Sequence, residues 1–211
     1  MIIRTLGCAE YVSTWDAMRD FTRSRNDDTE DELWLVEHPP VFTLGQAGRR
    51  EHLLVTTDIP VIATDRGGQI TYHGPGQVVA YPLLDLRRLG IFVKELVFRL
   101  EQAVMQTLES YGIDGRRVRG APGVYVPFAT STASGDLAGL AKIAAIGIKV
   151  SHGRTTHGIA LNVSMDLRPF SLINPCGYAN LPAVDIATLD RCVGWNDAAT
   201  RLAERLQAHL T

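Results

Sequence analysis

Cysteine is scarce in this sequence, and the few cysteines present follow no metal-binding or disulfide pattern. The three residues, Cys8, Cys176 and Cys192, are odd in number and widely spaced. This spacing excludes a full disulfide framework and suits a reducing compartment. Neither a CxxC pair nor an HExxH motif occurs. We therefore expect no zinc site and no other bound metal.

Long apolar runs and a strong charge of either sign are also missing. No run reaches the roughly 20 residues that a membrane-spanning helix needs. The N-terminus lacks the basic start, apolar centre and cleavage site of a signal peptide. The net charge of −2 is too balanced to favour nucleic acid as a partner. We therefore expect a cytoplasmic protein that binds neither membranes nor nucleic acid.

The sequence does contain enough apolar residues for one globular domain over residues 1–211, since 45% of them are hydrophobic. Apolar periodicity predicts helices at Tyr11–Arg25, Phe92–Tyr111 and Asp197–Leu210. Runs rich in strand-forming residues predict the strands Ile2–Leu6, Leu33–Glu37, Val41–Leu44, Val61–Asp65, Gln69–His73, Gln77–Leu83, Gly123–Val126, Lys142–Val150 and Ile159–Ser164. Because strands outnumber helices and follow one another closely, we predict an α+β fold with a mixed or mainly antiparallel sheet flanked by helices.

Several local features extend this prediction. The apolar face of the first helix is predicted to carry Val12, Trp15, Met18 and Phe21. The turn Gly74-Pro75-Gly76 predicts that the strands on either side of it pair as a hairpin. The small, polar residues of Ala129–Asp136 predict a loop.

Glycines cluster around residues 66–77, in Arg66-Gly67-Gly68 and in His73-Gly74-Pro75-Gly76-Gln77. Glycine inside a strand costs stability, so a cluster of this kind indicates a tight bend or a ligand close to the backbone. A hairpin turn accounts for the second group and leaves Gly67 and Gly68 unexplained. We therefore favour a role in lining a substrate site over turn formation alone.

Cys176 is the cysteine whose surroundings favour chemistry. Pro175 and Gly177 place its thiol on a bend rather than inside a core strand. Most cysteines are buried and inert, and Cys8 and Cys192 fit that type.

A reactive thiol needs a neighbouring base or cation, because the thiolate is the nucleophile. The candidates are Lys142 and the histidines His73, His152 and His157. Lys142 opens the apolar run KIAAIGIKV, where it is either partly buried or at a strand edge facing solvent. The residues alone leave a Cys/His and a Cys/Lys pair equally open.

Six motifs carry a resemblance to a known family. They are EHPPVFTLG, RGGQITYHGPGQVVAYPLLDL, GVYV, KIAAIGIKVS, HGIALNV and FSLINPCG, which begin at Glu37, Arg66, Gly123, Lys142, His157 and Phe170. In this order they resemble the lipoyl(octanoyl) transferases, enzymes that move octanoyl from acyl carrier protein to lipoyl-bearing proteins. The resemblance spans about two-thirds of the chain.

The resemblance implies a fold shared with biotin and lipoate protein ligases, an acyl thioester on Cys176 and a lysine, Lys142, that lowers the pKa of that thiol. It implies that His157 helps to position the acyl group. It also implies substrate binding by three segments, whose residues are Arg66, Gly67, Gly68, Gln69, Ile70, Thr71, Tyr72 and His73, then Ala145, Ile146 and Gly147, then Gly158, Ile159 and Ala160.

The implied partners are octanoyl-acyl carrier protein as donor, and lipoyl domains of 2-oxoacid dehydrogenase complexes and the glycine cleavage H protein as acceptors. No cofactor is expected, because a thioester is already activated. Two alternatives remain. One is a lipoate–protein ligase that works through an acyl-adenylate, which Cys176 disfavours. The other is a non-catalytic module that holds an acidic carrier protein with Arg116, Arg117 and Arg119, although this run also fits a solvated turn.

Overall fold

The computed structural model describes residues 1–174, 181–189 and 191–211. Its helices are α1 (Tyr11–Ser24), α2 (Leu86–Leu89), α3 (Val93–Glu109) and α4 (Trp195–Leu210). Its strands are β1 (Ile2–Cys8), β2 (Glu32–Glu37), β3 (Val41–Leu44), β4 (Val61–Ala63), β5 (Ile70–His73), β6 (Gln77–Leu83), β7 (Arg116–Val118), β8 (Ala121–Pro127), β9 (Leu140–Ser151) and β10 (Arg154–Asn162). Within these described residues, no helix has both the length and the apolar character that crossing a membrane requires.

The strands form two sheets. The larger sheet has seven strands in the order β1-β2-β6-β10-β9-β8-β7. β1 and β2 run parallel, and the remaining neighbours in this sheet are antiparallel. The smaller sheet has the order β4-β3-β5, with β3 parallel to β4 and antiparallel to β5. The predicted α+β fold with a mixed, mainly antiparallel sheet is confirmed.

Helices cover both faces of the larger sheet, and every residue of the inner strand β6 is buried. Side chains alternate between the two faces of a strand. Val78 and Ala80 accordingly pack in the core formed with α3 and α4. Val79 and Tyr81 pack on the opposite face, in the core that contains Met18 of α1. This second core fixes α1 against the sheet beside the pocket described below.

The apolar face of α1 is rotated from the predicted one. Tyr11 and Met18 are buried, whereas Val12 is 47% exposed. An α-helix repeats every 3.6 residues, so the spacing of Tyr11, Trp15 and Met18 follows the inward face, and a strict three-residue spacing does not. The inclusion of Val12 was therefore wrong, and Tyr11 takes its place.

The predicted hairpin around Gly74-Pro75-Gly76 is also wrong. The turn itself forms, since the Gln77 N–H donates to the Gly74 carbonyl at 3.2 Å. The strands on either side enter different sheets, with β5 paired to β3 and β6 paired to β2 and β10. A glycine-proline sequence determines a local change of direction and not the strands that pair after it.

β9 and β10 instead form a long hairpin, joined by His152 and Gly153. Both turn residues have positive φ, 51° and 79°, as a two-residue type I′ turn requires. The hairpin starts β10 at Arg154, earlier than predicted. The loop predicted at Ala129–Asp136 is confirmed except at its end, where Gly135–Leu137 form a 3₁₀ turn.

Candidate active site

A pocket lies where β5, β9 and β10 meet the start of α1. Its lining residues in the described part of the chain are Tyr11, Arg66, Gly68, Gln69, Ile70, Thr71, His73, Gln77, Val79, Tyr81, Lys142, Ala144, Ala145, Ile146, Gly147, His157, Gly158, Ile159, Ala160, Asn162, Phe170, Leu181, Pro182 and Ala183. The structure thus brings Lys142 and His157 together with the residues predicted to bind substrate, apart from Gly67 and Tyr72.

Gly67 and Tyr72 lie behind this lining and support it. The Gly67 N–H donates to the Ile148 carbonyl at 3.0 Å, which ties the loop before β5 to β9. The Tyr72 ring packs against Phe42 and Phe170, with ring centroids 5.4 and 5.5 Å away. Both residues therefore hold the wall of the pocket in place rather than facing its interior.

The loop before β5 is held by the buried guanidinium of Arg66. This group donates to the Thr43 hydroxyl at 3.0 Å, to the Thr43 carbonyl at 2.6 Å and to the Gln69 carbonyl at 2.7 Å. Gly147 of β9 lies directly under the loop, where a Cβ atom would be 2.8 Å from the Gly67 carbonyl oxygen. Glycine is required at such a close backbone approach. The glycines therefore serve both loop packing and the lining of the pocket.

Lys142 enters the pocket from an irregularity in the β8–β9 ladder. Tyr125 pairs with Lys142 and the preceding residue, Val124, pairs with Ala144, so Ile143 is an extra residue of β9. Such a bulge changes the direction of neighbouring side chains. Lys142 is 8% exposed, and its Nζ lies 5.3 Å from the centroid of the Tyr125 ring. The prediction of a partly buried lysine is confirmed, and the solvent-facing alternative is wrong.

The backbone of Lys142 is held by residues that follow Cys176 in sequence. The Lys142 N–H donates to the Pro182 carbonyl at 2.8 Å, and the Lys142 carbonyl accepts from the Val184 N–H at 3.0 Å. Cys176 itself lies outside the described residues. The chain before it ends its described part at Asn174, which donates its N–H to the His52 carbonyl at 2.9 Å.

The other two cysteines do not have the predicted environment. Cys8 and Cys192 are free and exposed, so their assignment to the buried type was wrong. Cys8 ends β1, an edge strand whose residues are all exposed. An apolar strand sequence does not reveal whether the strand lies at an edge or in the centre of a sheet.

Glu101 of α3 is a buried carboxylate close to Lys142, and sequence reasoning missed it. Its Oε1 accepts the Gly123 N–H at 3.1 Å and its Oε2 accepts from Arg117 Nε at 3.0 Å. Burial raises the pKa of Glu101, and the Gly123 N–H, Arg117 and Lys142 oppose that rise. Gly123 also makes room for the lysine, since a Cβ there would lie 2.8 Å from Lys142 Cε. A charged residue among the apolar positions of α3 was the available signal.

The three candidate histidines differ in position. His152 lies in the exposed turn between β9 and β10, whereas His73 and His157 are buried in the pocket wall. Burial lowers the pKa of His73 to about 3, and the neighbouring His38 adds to this effect. Burial also lowers the pKa of His157, against the opposing effect of Asp65. Both pocket imidazoles are therefore neutral at pH 7.

The arginine run after α3 is partly strand and partly the predicted solvated turn, since Arg119 lies in an exposed turn. Arg116 and Arg117 belong to β7. Arg116 pairs with Asp114 at 2.7 Å, and the Arg117 guanidinium lies 4.0 Å from the centroid of the Phe98 ring. A docking role for this run, including Arg119, stays a prediction.

The sequence profile of the lipoyl protein ligase A/B catalytic domain matches residues 10–210. An octanoyltransferase of Methylibium petroleiphilum is 57% identical, with 99% of this chain and 97% of the relative covered. An octanoyltransferase of Paraburkholderia phytofirmans is also 57% identical, with 100% and 86% covered.

Solved structures show the fold of the chain. A bi-partite lipoate protein ligase of Thermoplasma acidophilum superposes with a TM-score of 0.71 at 17% identity, covering 100% of this chain and 84% of that one. The fold similarity expected from the sequence motifs is confirmed.

Proposed function

Because this chain belongs to the lipoyl protein ligase A/B catalytic domain family and is an acyltransferase that moves octanoyl in protein lipoylation, we propose that the octanoyl group passes through a thioester on Cys176. The observation that carries this proposal is a pair of backbone hydrogen bonds, in which the Lys142 N–H donates to the Pro182 carbonyl and the Val184 N–H donates to the Lys142 carbonyl. They tie the segment after Cys176 to the strand that bears the lysine. The thiol and the amine then act as a pair.

The first half-reaction forms the thioester. Lys142 takes the proton of the Cys176 thiol, and the thiolate attacks the carbonyl carbon of an octanoyl thioester on the donor. A tetrahedral oxyanion forms and collapses by breaking the bond to the donor sulfur. Lys142 returns its proton to that leaving thiol. The oxyanion needs backbone N–H donors, a role that we assign to the Cys176-Gly177 segment.

The second half-reaction consumes the thioester. The ε-amine of an acceptor lysine attacks the octanoyl carbonyl, forms an amide and displaces the Cys176 thiolate. Lys142 accepts the proton that the amine loses. This step needs Lys142 as a neutral base. Burial favours the neutral amine, whereas a nearby carboxylate such as Glu101 favours the ammonium form, so the lysine lies where both influences act.

The octanoyl chain occupies the pocket beside Lys142. Ile70, Ala145, Ile146 and Ile159 line it with apolar atoms, and hydrocarbon gains about 0.8 kcal/mol for each CH₂ group that leaves water. The predicted binding segments at Arg66–His73, Ala145–Gly147 and Gly158–Ala160 supply half of the residues that line the pocket. His157, which also lines the pocket, is assigned a role in positioning the acyl group.

The proposed donor is octanoyl-acyl carrier protein. The proposed acceptors are lipoyl domains, among them those of 2-oxoacid dehydrogenase complexes and the glycine cleavage H protein. We place the reaction in the cytoplasm and assign it to a single catalytic domain over residues 1–211. No nucleotide or metal is needed, since both half-reactions start from an activated thioester. Dependence on ATP would instead indicate a ligase that forms an acyl-adenylate.

Intact-mass analysis tests the proposal. After incubation with octanoyl-acyl carrier protein, the chain should gain the mass of one octanoyl group, and hydroxylamine should remove it. Cys176→Ser should not gain a hydroxylamine-sensitive adduct. Cys192→Ser, the matched control, should be labelled like the wild type. An adduct that persists in Cys176→Ser would contradict the assignment.

A further inference from the structure

Side-chain rings close the pocket at the end next to α1. Tyr11, His73, Tyr81 and His157 line it there, and each is at most 6% exposed. We refer to these four residues as the ring floor. The Tyr11 ring stacks on His73, with centroids 5.8 Å apart and planes 13° from parallel. His38 lies behind, with ring centroids 5.2 Å from Tyr11 and 5.9 Å from Tyr81.

Hydrogen bonds within the protein occupy the polar atoms of the ring floor. They join His73 Nδ1 to Gln77 Oε1 at 2.8 Å, His73 Nε2 to Thr43 Oγ1 at 3.3 Å, His157 Nε2 to Asp65 Oδ1 at 2.8 Å, His157 Nδ1 to the Tyr11 hydroxyl at 3.5 Å and the Tyr81 hydroxyl to His38 Nε2 at 2.8 Å. The floor therefore presents to the pocket rings whose polar atoms already have hydrogen-bond partners in the protein. Such a surface suits a hydrocarbon end, because a polar end group would lose its hydration without gaining an equivalent partner.

The ring floor is also uncharged at neutral pH. Burial lowers the pKa of His73 to about 3 and that of His38 behind it to about 4. Burial raises the pKa of Tyr11 to about 12. A methyl group in contact with these rings therefore meets no charged group.

Asp65 fixes the ring floor from outside the pocket. Its carboxylate accepts hydrogen bonds from Trp15 Nε1 at 3.0 Å and Lys149 Nζ at 2.8 Å, in addition to its bond with His157. His157 has φ of 61°, a conformation that non-glycine residues rarely adopt unless their surroundings impose it. A floor held in this way resists displacement by a longer ligand.

The strand register relates the ring floor to Lys142. His157 pairs with Ile148 of β9. Lys142 enters the pocket from the same strand next to Ala144, since a Cβ atom on Gly123 would lie 2.8 Å from Lys142 Cε and 2.6 Å from the Ala144 carbonyl oxygen. At about 3.3 Å per residue, the stretch from Ala144 to Ile148 spans about 13 Å. An extended octanoyl chain, with single bonds of about 1.5 Å, measures about 9 Å between its end carbons. Once the radii of the end groups are added, one octanoyl chain fits between the lysine and the rings.

We propose that the ring floor sets the longest acyl chain that the pocket accepts, and that Tyr11 of α1 is the residue that determines this limit. The inference rests on the proposed acyl-binding function of the same pocket. Tyr11 is the member of the floor that comes from a helix rather than from a sheet strand. A smaller side chain at this position lengthens the pocket toward Trp15 and His38 without altering the strands that carry Lys142.

The test compares acyl-chain profiles of purified full-length variants. Hexanoyl, octanoyl, decanoyl and dodecanoyl thioesters of acyl carrier protein are supplied with a lipoyl domain, and transfer rates are measured by mass. Tyr11→Leu should raise the dodecanoyl-to-octanoyl rate ratio at least about tenfold, since one methylene in an apolar pocket can change discrimination by that factor. Tyr11→Phe keeps the ring and should keep the wild-type ratio. Tyr111→Leu removes a tyrosine outside the pocket and should also keep it.

Tyr11→Trp provides an independent direction, because a larger ring should move the preference toward hexanoyl. Melting temperatures establish which variants are folded. If only one of Tyr11→Leu and Tyr11→Trp folds, its chain-length profile alone tests the inference. Folded Leu and Trp variants with the wild-type chain-length profile would overturn the inference. Wild-type protein that fails to transfer octanoyl would instead overturn the proposed function.

Discussion

The ionisable side chains at the two ends of the pocket have opposite surroundings. At one end Lys142 projects from a bulged strand, and its neighbours include a buried carboxylate. At the other end His73 and His157 are held neutral by burial, with their ring nitrogens already bonded to protein atoms. A titratable group in a pocket wall is therefore not evidence of acid–base catalysis by itself. The hydrogen-bond partners and the charge of such a group indicate whether its role is catalytic or structural.

The largest effect should follow from removing the lysine. Lys142→Ala loses both the base and the cation, and we expect octanoyl transfer to fall at least about 10³-fold, in the range seen when a general base is deleted. Lys142→Arg keeps a cation that does not titrate near neutral pH, so it should retain some thiolate and still fail where a base is needed. Single-turnover rates of both half-reactions measure this.

Lys94→Ala, which removes an exposed lysine from α3, is the control and should transfer at the wild-type rate. Lys142→Ala with more than about a tenth of wild-type transfer would break the proposed difference between the two ends. The same difference requires His73→Ala and His157→Ala to do less damage than Lys142→Ala, through loss of positioning.

A smaller effect should follow from Gly123→Ala. The new Cβ would lie 2.8 Å from Lys142 Cε and 2.6 Å from the Ala144 carbonyl oxygen, at a φ of 130°. We expect transfer to fall about 10-fold or more as the lysine is displaced, and unfolding free energy to fall by about 1–3 kcal/mol. Gly120→Ala is the matched control, because its φ is also positive, 80°, and its Cβ would meet open space. Equal losses of transfer in the two variants would indicate backbone strain alone.

The buried histidines should affect the pH dependence of the unfolding free energy rather than the rate of transfer. His38 and His73 have folded pKa values of about 4 and about 3, mainly because they are buried, against about 6.5 when unfolded. Their contribution to stability is complete above pH 6.5 and is lost as the pH falls toward these folded values, since the unfolded chain then binds more protons. Between pH 7 and pH 5 we expect each histidine to lower the free energy of unfolding by up to about 2 kcal/mol.

Urea unfolding at the two pH values measures this loss. His73→Asn removes one of three buried histidines with a lowered pKa, the others being His38 and His157, and should reduce the difference between the two pH values by up to about 2 kcal/mol, whereas the exposed His152→Gln should leave it unchanged. A wild type with the same unfolding free energy at pH 7 and pH 5 would mean that the floor is not held neutral.

The smallest effect is expected from the two exposed cysteines. Cys8→Ala combined with Cys192→Ala should leave turnover within a few-fold of wild type, because neither residue lines the pocket in the described part of the chain. A loss close to that of Cys176→Ser would show that a different thiol carries the acyl group.

Sequence reasoning reached the features that local pattern determines. The strand that carries Lys142, the long helix α3 and the glycine-rich wall at Arg66–Gln69 follow from apolar runs and breaker residues in contiguous stretches. Partial burial was one of two alternatives for Lys142, and it was considered because six apolar or glycine residues follow the lysine directly in KIAAIGI.

Features that depend on distant contacts could not be predicted in this way. The partners of Asp65 come from α1, β9 and β10, and Glu101 of helix α3 accepts a hydrogen bond from Gly123 of strand β8. The strands around Gly74-Pro75-Gly76 separate into two sheets because each finds a better partner elsewhere in the chain. The position of Tyr11 in the pocket wall depends on the rotation of α1, which the sequence pattern did not predict.

The pH dependence of Cys176 alkylation tests the Cys/Lys pair most directly. Iodoacetamide labelling of Cys176, followed by peptide mass analysis, gives the pKa of this thiol in wild type, Lys142→Ala, His73→Ala and His157→Ala. We predict that the thiol pKa rises in Lys142→Ala, where the stabilising cation is lost, and stays at the wild-type value in both histidine variants. An unchanged thiol pKa in Lys142→Ala, together with a rise in either histidine variant, would show that the pair is Cys/His and contradict the account.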